Sequence, residues 1–229
     1  MRGNRHVATD TGGSHEPPVG LPVTLMHPTL VARPFQREGW ISEEKYDGWR
    51  LVGYKRHGQA WLLSRTHRDH TRRFPALAAA IAALAPPTLI LDGEVVIFDA
   101  HLLSRFEWLR RRAPEAVATP PIYMVFDLLR TGPHDLRGEP LRTRRAALER
   151  LVSGQHLIFP ARRLAASGLT AWEEVQQRGY EGLVAKDETS PYVGGRTLSW
   201  LKVKQRDYRA GSARLPVWQA ATVSAGFLT

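Results

Sequence analysis

The stretch Glu43-Glu44-Lys45-Tyr46-Asp47-Gly48-Trp49-Arg50 sets a lysine among acids, a glycine and an arginine, in a chain that otherwise carries its positive charge on arginine. Of 32 Lys plus Arg residues, five are lysines, at positions 45, 55, 186, 202 and 204. Arginine stays protonated in proteins, whereas lysine can lose its proton to become a nucleophile, or act as a compact charge on phosphate. A nucleophilic lysine needs its pKa brought down from about 10.4, and neighbouring cations such as Lys202 and Lys204 would do this while also stabilising charge on a phosphate under attack. Glu94 and Glu181 are oxygen donors suited to Mg²⁺, which takes one or two carboxylates together with substrate phosphate oxygens. Phe126 offers a ring to a nucleobase, although core packing is its simpler role. Each residue alone reads as a salt bridge or a core position; together they point to covalent attack of a lysine on a nucleoside triphosphate.

The elements that must position these residues are legible from hydrophobic pattern. Trp40 to Ser64 alternates as strands do and turns at His57-Gly58-Gln59, which predicts a hairpin. If Lys45 and Asp47 lie in extended chain, both side chains share a face, and Gly48 marks a bend where backbone approaches a ligand. Phe74 to Ala85 predicts a helix ended by Pro86-Pro87, and Thr88 to Phe98 a strand carrying Asp92-Gly93-Glu94 inside an apolar run. Two acids there are costly to bury without a cation, a metal or a sugar hydroxyl. Ser104 with Glu107, and Thr170 with Glu173, are capping-box signals for a short helix through Arg112 and for one over Trp172 to Arg178 that stops at Gly179. Pro120 to Leu129 and Leu157 to Phe159 predict strands, and Leu141 to Val152 a helix. Tyr180 to Lys186 reads as extended, Gly194-Gly195-Arg196 as a mobile loop, and Trp200 to Lys204 as a strand with both lysines on one face. Interspersed strands and helices predict an α+β fold with antiparallel sheets flanked by helices.

The composition, 43% hydrophobic and 24% charged, is that of a globular protein. A net charge of +10 with a pI near 10.5 suits a polyanion, most simply nucleic acid; a composition rich in arginine for other reasons is the alternative. The absence of cysteine excludes disulfides and thiolate metal sites. No apolar run reaches the roughly 18 residues that cross a bilayer, and the first residues lack the apolar core of a signal peptide, so no membrane partner and a cytoplasmic location are expected. Residues 1–20 are expected to form a disordered leader, 21–206 the catalytic domain and 207–229 a short tail.

The motifs in their order resemble the covalent nucleotidyltransferase superfamily of ATP-dependent DNA ligases, RNA ligases and capping enzymes. Lys45-Tyr46-Asp47-Gly48-Trp49-Arg50 is similar to the K-x-D-G-x-R motif, and Ser64-Arg65 to the arginine motif after it. Leu91-Asp92-Gly93-Glu94, Phe126-Asp127-Leu128-Leu129, Glu181-Gly182-Leu183-Val184-Ala185-Lys186 and Trp200-Leu201-Lys202-Val203-Lys204 resemble the motifs that follow. The texture around Arg68-Asp69, Arg72-Arg73-Phe74-Pro75 and Ser190-Pro191-Tyr192 is most similar to bacterial end-joining DNA ligases.

The resemblance implies an ATP-grasp-like nucleotidyltransferase domain that uses ATP and Mg²⁺ or Mn²⁺. It implies that Lys45, with Asp47, is catalytic: Lys45 takes AMP from ATP, the AMP passes to the 5′-phosphate of a nick, and the 3′-hydroxyl seals it. It further implies that Glu43 reads the adenine amino group, Arg50 and Glu94 the ribose, and that Phe126 stacks on the base. Glu94 and Glu181 are the implied metal ligands, Lys202 and Lys204 the phosphate contacts, and Arg65 a contact to nucleotide or nick. Lys186 is either a further phosphate contact or a structural cation. The implied partner is nicked or broken duplex DNA, with the protein a monomer. The residues after Lys204 are too few for the family's five-stranded OB-fold, so that domain is expected to be missing, or supplied in trans by an OB-fold or end-joining protein. An RNA ligase, a guanylyltransferase and a truncated nucleic-acid-binding module are the alternatives.

Overall fold

The computed structural model describes residues 23–111, 119–206 and 208. The expected leader of residues 1–20, Arg112, and the tail apart from Tyr208 lie outside the described residues. In chain order the elements are β1 (Met26–Leu30), β2 (Trp40–Lys45), β3 (Trp49–Arg56), β4 (Gln59–Ser64), a 3₁₀ turn (Thr71–Arg73), α1 (Pro75–Ala83), β5 (Thr88–Val96) and α2 (Phe106–Arg110). There follow β6 (Ile122–Thr131), β7 (His134–Asp135), α3 (Leu141–Leu151), β8 (Ile158–Pro160), α4 (Gly168–Arg178), β9 (Gly182–Asp187) and β10 (Gly195–Lys204).

These strands form two sheets. The smaller runs β1-β10-β9-β2; the larger runs β4-β3-β5-β6-β7, with β8 pairing β6. Pairing is antiparallel except for β1 with β10 and β6 with β8. The expected α+β class with largely antiparallel sheets is therefore found.

Period-two alternation decides what each sheet face does. On the larger sheet Leu51, Leu91, Val95, Tyr123 and Val125 point to one side, where they pack with Leu77 and Ile81 of α1 and Leu148 of α3. Their alternates Val52, Tyr54 and Ile90 pack on the other side with Met26 of β1 and Trp200 of β10. The same alternation sends Arg50, Asp92, Glu94 and Phe126 toward the smaller sheet. On that sheet Leu183, Ala185 and Val203 pack outward with Ala171 and Val175 of α4. Val184, Lys186, Trp200 and Lys202 are left facing the larger sheet, so chemistry-bearing residues of both sheets meet in one cleft.

The predicted hairpin forms as β3 and β4, with positive φ at both His57 and Gly58, as a two-residue turn of this hand requires. Gly179 ends α4 in the left-handed region at φ 74°.

Other expectations need correction. Neither capping box forms: α2 and α4 begin at Phe106 and Gly168, and their N-caps, Arg105 and Ser167, make no side-chain cap bond. The Ser104 hydroxyl is engaged elsewhere, accepting the Asp47 N–H at 2.8 Å. Gly195 and Arg196 belong to β10 rather than to a loop, because β1 pairs with them from Met26 onward. Asp47 is not in extended chain either, since β2 stops at Lys45 and residues 46–48 form the bend into β3.

Candidate active site

The bend between β2 and β3 is fixed on three sides. Tyr46 is buried, its hydroxyl accepts the Arg162 N–H at 2.8 Å, and its ring meets Phe98 edge-on with centroids 6.1 Å apart. Gly48 lies against β5 so closely that a Cβ would stand 2.5 Å from the Val95 carbonyl oxygen. The close approach found at this glycine is to the protein's own backbone. Asp47 is held by Ser104 through its N–H and by the Tyr208 hydroxyl, which donates to Oδ2 at 3.2 Å. Burial, and then the charge of Glu181, push the Asp47 carboxyl above its ordinary pKa.

Lys45, the last residue of β2, faces the cleft. Its Nζ donates to Glu181 Oε2 at 2.5 Å, and Lys204 Nζ reaches Oε1 of the same carboxylate at 2.8 Å. Glu181 precedes β9, whose Gly182 pairs with Lys45, so sheet register sets the lysine against this acid. The cleft is open to solvent on one side, with about 700 Å³ of space when that open solvent is included. Phe126 of the larger sheet and Val184 of the smaller both line it.

Three cations around the cleft are held by the protein. Arg50 donates to Asp92 through Nε at 3.0 Å and Nη2 at 2.7 Å, and to the Met26 carbonyl at 2.8 Å. Burial works against its charge, but Asp92 outweighs this and raises its pKa, while the guanidinium sits over the Phe126 ring at 5.2 Å. Glu43 is buried between Arg145 and Lys186; its Oε1 accepts from Arg145, and its Oε2 lies 2.6 Å from Lys186 Nζ. Lys186 is also buried and lies over the rings of Trp200 at 4.1 Å and Phe126 at 4.8 Å. Burial lowers its pKa, opposed by Glu43 and Asp127.

Glu94 differs from these acids. It lines the cleft half-buried, and among the described residues its carboxylate has neither an ion pair nor a hydrogen bond. Burial pushes its pKa up to about 7; Lys45 and Arg50 pull it down, and Glu181 adds to the rise. Among the described residues it is the cleft-lining carboxylate that no cation or hydrogen-bond donor of the protein engages.

Of the residues singled out in the sequence, Glu43, Lys45, Arg50, Glu94, Phe126, Lys186 and Lys202 line the cleft. Glu181 and Lys204 join them through Lys45. Asp47 sits in the adjoining bend, and Arg65 is exposed just past β4, outside the lining but near enough for its charge to act on His27. Sequence reasoning did not single out His27, Val184, Trp200 and Arg145. Val184 and Trp200 were legible as members of their motifs and by alternation; His27 and Arg145 had no such signal.

Comparison with known proteins agrees with this geometry. Residues 24–204 match the family model described as ATP dependent DNA ligase domain. The chain is 35% identical over 171 residues to the multifunctional non-homologous end joining protein LigD of Mycolicibacterium smegmatis, covering 74% of this chain and 22% of that protein. It is 30% identical over 186 residues to the SPbeta prophage-derived DNA ligase-like protein LigB of Bacillus subtilis, covering 80% of this chain and 67% of the relative. Among solved structures, mycobacterial DNA ligase D complexed with ATP and MES superposes with a TM-score of 0.71 at 32% identity, covering 80% of this chain and 60% of that one. The chain thus spans about a fifth of the LigD relative. Family match, fold and cleft agree, and the chain belongs to the ATP dependent DNA ligase domain family.

Proposed function

We propose that this domain catalyses nucleotidyl transfer from ATP through Lys45 and passes the AMP to a 5′-phosphate at a break in duplex DNA. The observation that carries this reading is Lys45 Nζ held at 2.5 Å from Glu181 on a cleft that also presents the unpartnered Glu94. In the first step Nζ gives up its proton toward Glu181 and attacks the α-phosphorus. An N–P bond forms, the bond to the bridging oxygen breaks, and pyrophosphate leaves. A 5′-phosphate oxygen of the DNA then displaces Nζ from the AMP phosphorus. Finally the 3′-hydroxyl attacks the activated 5′-phosphate, the strand is closed, and AMP departs.

Phe126 and Val184 come from opposite sheets and would hold the base between them. Glu43 has each carboxylate oxygen engaged by a cation, which fixes its orientation and leaves a lone pair on each oxygen for an exocyclic amino group. Arg50, braced by Asp92, and Glu94 are placed for the ribose. Asp47 stands beside the lysine as its positioning acid. Lys202 and Lys204 lie near Lys45 for phosphate, and Arg65 for the nucleotide or the nick. The burial and ring contacts of Lys186 favour a structural role, that of steadying Glu43.

The donor set fits a hard divalent cation such as Mg²⁺ or Mn²⁺. Glu94 has a free carboxylate, and Glu181 is close enough to raise its pKa; substrate phosphate oxygens would complete the coordination. Among the described residues no group of three His, Cys, Asp or Glu could hold a metal without substrate. Bound there, the cation would offset the charge of the triphosphate.

The test is covalent labelling. Incubated with α-labelled ATP and a divalent cation, the protein should retain label that is absent from Lys45→Ala. Label that survives in that variant would show another residue to be the nucleophile, and label from GTP alone would turn the reading to guanylyl transfer. Sealing of a nick already carrying AMP, with no ATP present, tests the last step by itself.

A further inference from the structure

The cations of the cleft divide into two kinds. Lys45, Arg50, Arg145, Lys186 and Lys204 each have an acid within ion-pair distance. His27, Arg65, Arg196 and Lys202 have, among the described residues, neither an ion pair nor a side-chain hydrogen bond. These four converge on one place. His27 lies on β1 and pairs in register with Arg196 of β10. His27 and Lys202 both line the cleft, Arg196 acts electrostatically on Lys202, and Arg65 and Lys202 act on His27. Asp92, the acid whose charge acts on His27, is already engaged by Arg50 and by the Tyr192 hydroxyl at 2.6 Å.

Arg65, Arg196 and Lys202 carry charge at the mouth of the cleft without an ion-pair partner among the described residues, and they repel one another in the free protein. An anion seated among them removes that cost. We propose that His27 is a further phosphate-contacting residue, which joins Lys202 and Arg65, already given to phosphate and nick above, and the neighbouring Arg196 in an anion seat at the β1–β10 edge of the cleft. The chemistry is that of a phosphate group, from either the leaving pyrophosphate of a nucleoside triphosphate or the 5′-phosphate of a DNA end; naming these two sources rests on the proposed function, while the seat itself does not.

The imidazole gives the seat a signature that the arginines lack. Burial lowers the His27 pKa from 6.5, and Arg50, Arg65 and Lys202 lower it further against a small opposing pull from Asp92. The free side chain is therefore largely neutral at neutral pH. A seated phosphate reverses the local field and favours the imidazolium, so binding takes up a proton and tightens as pH falls through the histidine range.

The experiment measures binding without turnover. Inorganic pyrophosphate, a nicked duplex with a 5′-phosphate and the same duplex with a 5′-hydroxyl are titrated into the protein at about pH 6 and about pH 8. His27→Ala should weaken phosphate-dependent binding about tenfold at the lower pH and much less at the higher, the scale of one hydrogen bond to a charged group. Arg196→Ala, at an exposed position that folding tolerates, should weaken it at both. A loss confined to pyrophosphate assigns the seat to the leaving group; a loss confined to the difference between the two duplexes assigns it to the DNA end. Variants that bind all three ligands as the parent protein does at both pH values overturn the proposal. Because no step requires lysyl-AMP, a protein that fails to label with ATP but shows this His27-dependent binding sinks the proposed function and leaves the seat standing.

Discussion

Glu44 and Lys45 are neighbours on β2 with opposite fates, because alternation turns one into packed protein and the other toward the cleft. Glu44 is buried, and Arg162 lies 3.2 Å from its Oε2. Burial nonetheless dominates, and its pKa is pushed up to about 8 from an ordinary 4.5. An acid whose folded pKa is raised binds more protons folded than unfolded between those values, so stability falls as pH rises through that window. The thermal midpoint of the parent protein should therefore decline between about pH 5 and pH 8 more steeply than that of Glu44→Gln; parallel curves would show that Glu44 is ionised throughout. Glu94 should behave alike up to about 7, with one difference: ATP and a divalent cation should flatten its contribution, because a bound cation restores the carboxylate. At this scale the sequence was informative where residue type alone limits the chemistry, as for Lys45 and Glu94. It was silent on Arg145 and His27, whose importance comes from groups more than a hundred residues away in sequence: Arg145 meets Glu43, and His27 meets Arg196.

The element that gives the site its shape is the bend between β2 and β3. Its glycine is pressed against the β5 backbone, so Gly48→Ala has no room without moving one strand. Overpacking of this kind costs about 1–3 kcal/mol, and urea unfolding should report it. Any shift of β2 against β5 also separates Lys45 from Glu94, so lysyl-AMP formation should fall by more than the loss of folded protein explains. Unchanged labelling per folded molecule would mean that the bend tolerates displacement. Strands and helices here were legible from periodicity, since burying one face requires it. Capping signals misled because they are short and local. The Ser104 hydroxyl is claimed by the Asp47 N–H, a contact across the fold that no four-residue pattern records. The glycines before Arg196 suggested a loop for the same reason: β1, which holds them in a strand, is remote in sequence.

Across the whole molecule, two adjacent arginines of α3 join the sheets. Arg144 is wholly buried, donating to Asp127 of β6 at 2.7 and 2.8 Å and to the Ser190 carbonyl, beyond β9, at 2.9 Å. Arg145 reaches Glu43 of β2 and the Ala161 carbonyl. The larger sheet thus holds the β2–β9 pair through one helix, at Glu43 near the middle of the pairing and at Ser190 just past its Trp40–Asp187 end, and the width of the cleft depends on it. Removing one member of a buried pair costs about 3–5 kcal/mol, because the remaining charge stays buried without a partner. Arg144→Ala should lose stability by about that much in urea, and with it adenylation. Phe126→Ala offers the contrast: half-buried at the cleft, it should lose much less stability but raise the KM for ATP, since a stacked base contributes about 1–3 kcal/mol. If Arg144→Ala keeps its stability while ATP binding fails, α3 belongs to the site itself rather than to the frame that sets the two sheets apart.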